Sequence, residues 1–387
     1  MKILQTMPCR VKSYQASLDG FNLTDTYLIA FNDVCNGGSN ILTPAGYSDY
    51  VGSFLYVPFI SKFFDLSIYY STIFFFLFYG IFCILISLFG LFKFYNSKEA
   101  KIYGATVIIA VGTLCIFISD TYSFYGLTSL ALITWWSKFS IFENSNYRKY
   151  FFLFIFTGSL VAFSNTVRGN SGNDVLLSII FLIVLDIIKN KNYNKILIII
   201  FIFIPILVIN FQISKLQEKS KNYLINNTDI EGKYDLNFVR AIWHNAYYSL
   251  GYLSIDNEDV PVPTDVYSIK KAQEIKPDVI KYSKEYEKIL RTEYFKFVTN
   301  NPIIFIKIQA SKLGVIIFYI IVFLNIGIYL IFSNKFNYQT FAFFIPGILL
   351  NSLFGIASEP NYTYLLGLFA YSSLFATKLI EDKYSKF

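Results

Sequence analysis

The chain has 387 residues, of which 55% are hydrophobic and only 15% are charged, and its mean hydropathy is +0.47. An ordinary soluble domain carries about 25% charged residues, so a soluble fold is excluded by the amount of apolar surface it would have to hide. The formal net charge of +7 does not indicate nucleic-acid binding, because the Lys and Arg residues lie mostly in short segments between apolar runs. The composition therefore predicts an all-α, polytopic membrane protein.

Apolar runs near the length of about 20 residues that a helix needs to cross a bilayer recur from residue 67 onward. Basic residues follow the first, third, fifth, seventh and ninth run, so the positive-inside rule places those connections in the cytoplasm. The other connections, with Asp120, Arg168 and Glu359, then face outward, as does segment 214–301. Nine transmembrane helices are predicted, over 67–95, 102–119, 121–142, 149–167, 173–188, 194–213, 312–333, 337–357 and 361–380.

The first 66 residues lie outside by the same parity, although they contain neither a signal peptide nor a span. We therefore expect a further transmembrane helix before Met1; the alternative is translocation of a short N-terminal tail. The amphipathic stretch Tyr50 to Phe63 is too short to span and is predicted to lie along the membrane interface. Cys9 and Cys35 share this segment, where a disulfide is possible in an oxidising compartment.

The long outer segment 214–301 is predicted to be helical in two stretches. One begins near Thr264 as N-cap and the other near Ser283, after which Tyr286, Leu290, Tyr294 and Phe297 fall on one helix face. The predicted organisation is thus an outer N-terminal loop with an interfacial helix (1–66), transmembrane helices one to six (67–213), an extracytoplasmic helical insertion (214–301), and helices seven to nine with a cytoplasmic tail (302–387).

Polar residues of the predicted outer face have the chemistry of a transfer site, with carboxylates for proton transfer and cations for a phosphate. Arg168 runs against the positive-inside bias, and the Gly169-Asn170-Ser171-Gly172 after it would let backbone N–H groups approach an anion. The alternative for Arg168 is simple anchoring at the interface. The candidates at this face are Asp19, Asp25, Asn165, Arg168, Trp243, His244, Lys312 and Glu359.

The stretch Asp25-Thr26-Tyr27-Leu28-Ile29-Ala30, followed by Gly37-Gly38 and Pro44-Ala45-Gly46-Tyr47, resembles the first outer loop of GT-C class glycosyltransferases. These are polytopic enzymes of the protein mannosyltransferase and aminoarabinose transferase type. The resemblance implies a polyprenyl-phosphate-linked sugar as donor and a catalytic acidic residue in this loop. Because Thr26 stands where a second acidic residue is usual, the base is Asp25 or, second, Asp19.

The rest of the chain resembles bacterial membrane proteins found beside polysaccharide genes. The residues that carry this resemblance are Arg168 before Ser171-Gly172, the aromatic stretch from Trp243 through His244 to Tyr252, and Asn301-Pro302 leading into a helix with Lys312. It implies a location in the bacterial plasma membrane, while the GT-C resemblance implies a lipid-linked glycan or surface polymer as acceptor.

Simpler structural roles stand beside these assignments. His244 is the only His of the chain, so no metal site is indicated, although a divalent metal is possible, and no other cofactor is predicted. Trp243 and the neighbouring tyrosines fit a membrane-interface belt as well as a platform for a sugar. Lys312 opens a predicted span, where it either reaches the interface or contacts phosphate.

The sequence therefore predicts an inverting glycosyltransferase in which an outer carboxylate, Asp25 or Asp19, takes the proton of the acceptor hydroxyl. Arg168, helped by Lys312, stabilises the departing phosphate. Two alternatives remain, a polysaccharide polymerase or ligase and a flippase or transporter of polysaccharide precursors. A transport path would place ionisable residues at mid-membrane, whereas the predicted spans are nearly free of them.

Overall fold

The computed structural model of the protein is built almost entirely from α-helices. It describes residues 3–31, 41–45, 51–118, 120–137, 150–191, 193–228, 241–252, 260–333 and 337–385. One short antiparallel hairpin, β1 (Ile29–Phe31) with β2 (Leu42–Pro44), pairs Ala30 with Thr43. The helices are α1 (Ile3–Thr24), α2 (Val51–Phe64), α3 (Ile68–Phe94), α4 (Lys98–Ile118), α5 (Ser123–Trp136), α6 (Phe151–Val167), α7 (Asn173–Asn190), α8 (Ile196–Asn227), α9 (Ile242–Tyr248), α10 (Asp265–Ile275), α11 (Lys284–Asn300), α12 (Pro302–Leu324), α13 (Ile326–Ser333), α14 (Tyr338–Ala357) and α15 (Leu366–Tyr384). The all-α prediction is confirmed.

Five helical segments are long and apolar enough to cross a membrane, within the part of the chain that the structure describes. They are Ile68–Phe94, Lys98–Ile118, Tyr193–Asn227, Pro302–Leu324 and Tyr338–Ala357. Each of the nine predicted spans coincides with a helix, but the other four fall short of these criteria over their described residues; α6, for example, has 17 residues. These long apolar helices indicate a multi-pass membrane protein.

Helix α15 forms the centre of the bundle, where it packs against α4, α5, α12, α13 and α14. It is buried on almost all sides, which fits a helix with apolar and small residues around its whole circumference. Small residues such as Ser372, Ser373 and Thr377 let the surrounding helices approach it closely. Around this centre, α3 packs on α4 and α5, α7 packs on α14, and α6 packs on α8.

The contacts made near the ends of the bundle helices distinguish its two ends. At one end Arg10 pairs with Asp120 (2.7 Å), and Tyr56 hydrogen-bonds Thr166 (3.1 Å). At the other end the carboxylate of Glu381 accepts hydrogen bonds from the backbone N–H groups of Asn96 and Ser97. The first end also carries α1, α2 and the connections after α6 and α14, and we call it the lobe end.

A second, smaller core lies at the lobe end, formed by α9, α10, α11 and the start of α12. We call residues 241–252 and 260–311 the lobe. Its apolar centre includes Tyr247, Leu250, Tyr286 and Leu290. The two predicted helices are confirmed: Thr264 precedes α10, and the Ser283 hydroxyl caps α11 by accepting from the Tyr286 N–H at 3.1 Å. The predicted apolar face of α11 is the face that packs into the lobe.

Helix α12 begins at Pro302, ten residues before the predicted start of the seventh span. Its first turns belong to the lobe, since Phe305 and Ile308 pack in the lobe core, whereas Ile316 and Leu324 belong to the core of the bundle. The helix therefore passes from the lobe into the bundle close to Lys312. The predicted start of the seventh span thus corresponds to the point where α12 enters the bundle, and the helix itself begins earlier, at Pro302.

Helix α1 lies in a segment that the sequence predicts as a loop, because many of its residues are polar. Tyr14 of α1 is fully buried, and the Ser17 hydroxyl donates to the backbone oxygen of Phe54 in α2 at 3.1 Å. The predicted helix after Tyr50 is confirmed as α2. Cys9 is disulfide-bonded, while its expected partner Cys35 lies outside the described residues.

Helix α8 is longer than a membrane crossing requires. Its 32 residues reach about 48 Å, against about 30 Å of hydrocarbon. The C-terminal third packs against the hairpin, where Leu224 contacts the buried Ile29 and the Ser220 hydroxyl donates to the backbone oxygen of Tyr27. This contact fixes the segment that follows α1.

A glycine contact between α6 and α8 provides a test of the bundle. A Cβ at Gly158 would overlap the backbone oxygen of Ile202, whereas a Cβ at Gly314 of α12 would meet nothing within 4 Å. We expect Gly158→Ala to destabilise the protein by about 1–3 kcal/mol because the helices must separate. The thermal unfolding midpoint in detergent would measure this, with Gly314→Ala as the matched control. Equal midpoints for the two variants would contradict this close packing.

Candidate functional site

The guanidinium of Arg168 is the centre of the site at the lobe end. Arg168 ends α6, and only 6% of its surface is exposed. Its Cζ lies 4.0 Å from the centre of the Tyr122 ring and 5.9 Å from that of Tyr364, and its Nε donates to the Tyr125 hydroxyl at 3.1 Å. Aromatic faces and a hydroxyl thus hold a buried cation in place. The interpretation of Arg168 as a snorkelling anchor does not fit this burial.

The turn after Arg168 is tightly built. The Ser171 N–H donates to the backbone oxygen of Arg168 at 3.1 Å, and Gly172 has a φ of +81°. A side chain at Gly172 would be strained by this φ and would press on Thr128 and Val161. The Ser171 hydroxyl is buried and has no hydrogen-bond partner among the residues that the structure describes. The turn thus offers a hydroxyl donor close in sequence to the guanidinium.

Several tyrosine hydroxyls lie between Arg168 and the lobe. Tyr122 and Tyr364 are hydrogen-bonded through their hydroxyls at 3.0 Å, and Tyr248 of α9 is bonded to the hydroxyl of Ser358 at 3.0 Å. Tyr364 and Tyr248 interact as well. Burial raises the pKa of the Tyr248 hydroxyl to about 12, so it stays protonated at neutral pH. The site therefore includes residues of the bundle and of the lobe.

Lys312 is the second buried cation at this end. It is fully buried, and its Nζ donates to the hydroxyl of Ser249 at 3.0 Å and to the backbone oxygen of Ile356 at 3.1 Å. Glu359 is close enough to attract it electrostatically and is itself half-buried. Lys312 and Glu359 thus lie where the lobe meets the bundle. Of the predicted residues, Arg168, Lys312 and Glu359 are brought into one region.

His244 is a buried residue of the lobe. Its Nδ1 is 2.6 Å from the Tyr286 hydroxyl and its Nε2 is 3.1 Å from Asp265, while Glu287 accepts from its backbone N–H at 3.2 Å. The hydrogen bond from His244 lowers the pKa of Asp265, and burial raises the pKa of Glu287. Both ring nitrogens are occupied, so the His244 side chain links α9 to α10 and α11.

Trp243 and Asn165 have structural contacts. The Trp243 ring packs against Tyr294 and Phe295 of α11 at 5.7 and 5.3 Å between ring centres, and Arg291 lies over it at 5.6 Å. The amide of Asn165 donates to the side chain of Asn173 at 3.1 Å and so spans the turn that contains Arg168. Trp243 supports the lobe, and Asn165 braces the turn.

The two candidate bases, Asp19 and Asp25, lie in the last two turns of α1 and just after its end, whereas Arg10 lies in its first half. Asp19 is exposed and accepts from the Gln15 amide at 2.8 Å. Asp25 is exposed with a φ of +51°, and its N–H donates to the backbone oxygen of Phe21, which terminates α1. From Arg10 to the end of α1 the helix rises about 21 Å. Asp25 therefore has a conformational role in this turn besides any chemical one.

Asp174 is a buried carboxylate that the sequence analysis missed. It is 4% exposed near the start of α7, and it accepts from Ser129 at 2.6 Å and from the Asn351 amide at 2.9 Å. The Ser129 hydroxyl also lies 2.9 Å from the backbone oxygen of Tyr125, the residue that contacts Arg168. In the sequence, Asp174 is recognisable as an Asp that follows a glycine-containing turn at the edge of an apolar run.

Comparison of the chain with family models, with curated proteins and with solved structures found no match. Within the described ranges, no group of three or more His, Cys, Asp or Glu residues is arranged to hold a metal ion. The acidic residues Asp256, Glu258 and Asp259 lie outside those ranges. We therefore infer the function from the geometry at the lobe end.

The pairing of His244 with Asp265 gives the lobe a pH dependence. Because the pKa of Asp265 is lowered in the folded protein, its contribution is present above the unfolded value of about 3.9 and is lost as pH falls through the folded value. We expect Asp265→Asn to lower the thermal midpoint at pH 7, and the difference from the parent protein to shrink below about pH 4. The exposed Asp278→Asn variant is the matched control. A difference that stays constant across this pH range would rule out a contribution from the ionised Asp265 carboxylate.

Proposed function

We propose that the protein is a GT-C type membrane glycosyltransferase that moves a sugar from a polyprenyl-phosphate donor to a lipid-linked glycan or surface polymer. We place it in the bacterial plasma membrane with the lobe end outward. Two features support this orientation. Cys9, at the lobe end, is disulfide-bonded, as residues in oxidising compartments can be. Lysines such as Lys98 and Lys189 belong to the opposite end, as the positive-inside rule requires of a cytoplasmic face.

The observation that carries the proposal is the pair of buried cations at one end of an apolar bundle: Arg168, which lies among tyrosine rings, and Lys312, which is bonded to Ser249 next to Tyr248. Burying a cation is costly unless an anion or hydrogen-bond acceptors compensate it. A phosphate that departs with a growing negative charge is stabilised most by fixed cations in a medium of low dielectric constant. The Ser171 hydroxyl, which has no partner among the described residues, adds a donor for a phosphate oxygen.

The chemistry follows from the donor. The acceptor hydroxyl attacks the anomeric carbon while a carboxylate takes its proton, and the bond from that carbon to the phosphate oxygen breaks with both electrons going to the phosphate. The configuration at the anomeric carbon is inverted. We assign the base to Asp25 first and to Asp19 second. Arg168 holds the phosphate by a guanidinium fork, with Lys312 as the second cation.

A transporter of polysaccharide precursors is the second candidate, and the buried Asp174 favours it. Asp174, Ser129 and Asn351 form a polar group between α7, α5 and α14, inside helices that were expected to be nearly free of ionisable residues. Intramembrane carboxylates mark proton or substrate pathways in many transporters. If transport is the function, Asp174→Asn abolishes it, whereas a glycosyltransferase retains sugar transfer after the same change.

The arginine and the base can be tested separately by sugar transfer in proteoliposomes that contain a polyprenyl-phosphate sugar and an acceptor lipid. We expect Asp25→Asn to lower turnover by roughly 100-fold or more because the proton acceptor is lost. Asn also tolerates the positive φ at this position, so the turn is retained. Arg168→Lys keeps the charge but loses the fork, so donor affinity falls as well as rate.

The controls are Asp278→Asn and Arg291→Lys, which make the same chemical changes at exposed positions of the lobe. All variants should insert and elute as the parent protein does. Full transfer by Asp25→Asn would exclude Asp25 as the base, and the same result for Asp19→Asn as well would leave this mechanism without a proton acceptor. Unchanged donor affinity in Arg168→Lys would remove Arg168 from the phosphate site.

A further inference from the structure

A cavity of about 370 Å³ lies between α1 and α2, away from the Arg168 site. Its wall is apolar and largely aromatic except for one lysine at the end of α2. The residues that line it are Leu18, Phe21, Tyr27, Pro58, Phe59, Lys62 and Phe63. Phe21 and Tyr27 stack with ring centres 4.1 Å apart, which gives one side of the cavity a rigid surface.

Among the described residues of this lining, Lys62 is the only charged one, and its side chain is exposed. Its Nζ lies 4.5 Å from the centre of the Phe21 ring, so the ammonium is held at the cavity rather than extended into solvent. Lys62 is six residues before Ile68, where the first long apolar helix α3 begins. A lysine this close to the start of a membrane-spanning helix is placed at the level of the lipid headgroups.

Exposed aromatic residues connect the cavity to the outer surface of α3. Phe59 is 54% exposed and Phe63 is 68% exposed, although both line the cavity, and their rings stack at 5.9 Å. Phe63 then contacts Phe64 at 4.9 Å, and Phe64 contacts Phe74 of α3 at 5.9 Å. A continuous apolar path therefore runs from the membrane-spanning helix to the cavity.

We propose that this cavity binds one anionic phospholipid of the bilayer, with its phosphate on Lys62 and an acyl chain between α1 and α2. The charge of Lys62 complements a phosphate, and the aromatic wall complements a hydrocarbon chain. The path along Phe63, Phe64 and Phe74 provides the entry from the bilayer. The bound lipid joins α1 to α2 and thereby supports the segment that carries Asp19 and Asp25.

Native mass spectrometry of the full chain, released from nanodiscs of phosphatidylcholine and phosphatidylglycerol, tests the proposal. We expect one phosphatidylglycerol to be retained in preference to phosphatidylcholine. Lys62→Gln should lower this retention about fivefold, the equivalent of the roughly 1 kcal/mol that one lysine contributes near an anionic surface. Leu18→Phe, which fills the cavity and keeps the lysine, should lower it too.

The matched control is Lys93→Gln. Lys93 is also exposed and lies 5.4 Å from the rings of Phe89, Phe94 and Trp135, but at the opposite end of α3. The Lys93→Gln variant should retain phosphatidylglycerol as the parent protein does. Equal retention by the Lys62 and Lys93 variants, equal retention of the two phospholipids, or a retained polyprenyl phosphate in place of phosphatidylglycerol would each overturn the proposal.

Discussion

Polar groups inside an apolar bundle must find their partners within the protein, and this constraint organises the structure. Hydrocarbon offers no hydrogen bonds, so an unpaired polar side chain in a span is costly. Tyr79 accordingly bonds both Thr128 and Ser164, and the Trp136 indole donates to Thr157. These contacts join α3, α5 and α6 below the turn that carries Arg168. The site is therefore built above helices that are joined by hydrogen bonds between their side chains.

The lobe meets the bundle through hydrogen bonds. Lys312 donates to Ser249 of the lobe and to the backbone of Ile356 at the end of α14, so one ammonium joins three segments. Tyr248 adds its bond to Ser358. Because α12 starts in the lobe and ends in the bundle, the lobe cannot turn relative to the bundle without bending this helix. The contacts around Lys312 are therefore both a candidate site and a structural joint.

The two halves of α1 serve different purposes. Its first half is joined to the bundle by the pair Arg10–Asp120, at the connection that carries Tyr122 and so approaches Arg168. Its second half leads to Asp25 and the hairpin, which rest on the extended part of α8. The attacking hydroxyl and the anomeric carbon must approach to about 3–3.5 Å, and that carbon is bonded directly to the phosphate oxygen, so a glycosyltransferase mechanism with Asp25 as the base requires this carboxylate to lie close to the phosphate held by Arg168. Asp120 pairs with Arg10 two residues before Tyr122, and Glu359 lies close to Lys312, so both carboxylates belong to the region of the two buried cations.

The sequence by itself determined the helical class, the positions of the apolar helices, and the two helices of the lobe. These features follow from local rules: apolar length for the spans, and N-cap residues with periodic apolar faces for α10 and α11. Tertiary structure alone decided the burial of Arg168 among Tyr122, Tyr125 and Tyr364, because these rings come from segments far apart in the chain. It also decided the partners of Lys312 and Asp174, and the packing of the polar helix α1. Local sequence gives the type of each residue, but only packing gives its neighbours, and burial and charge compensation depend on those neighbours.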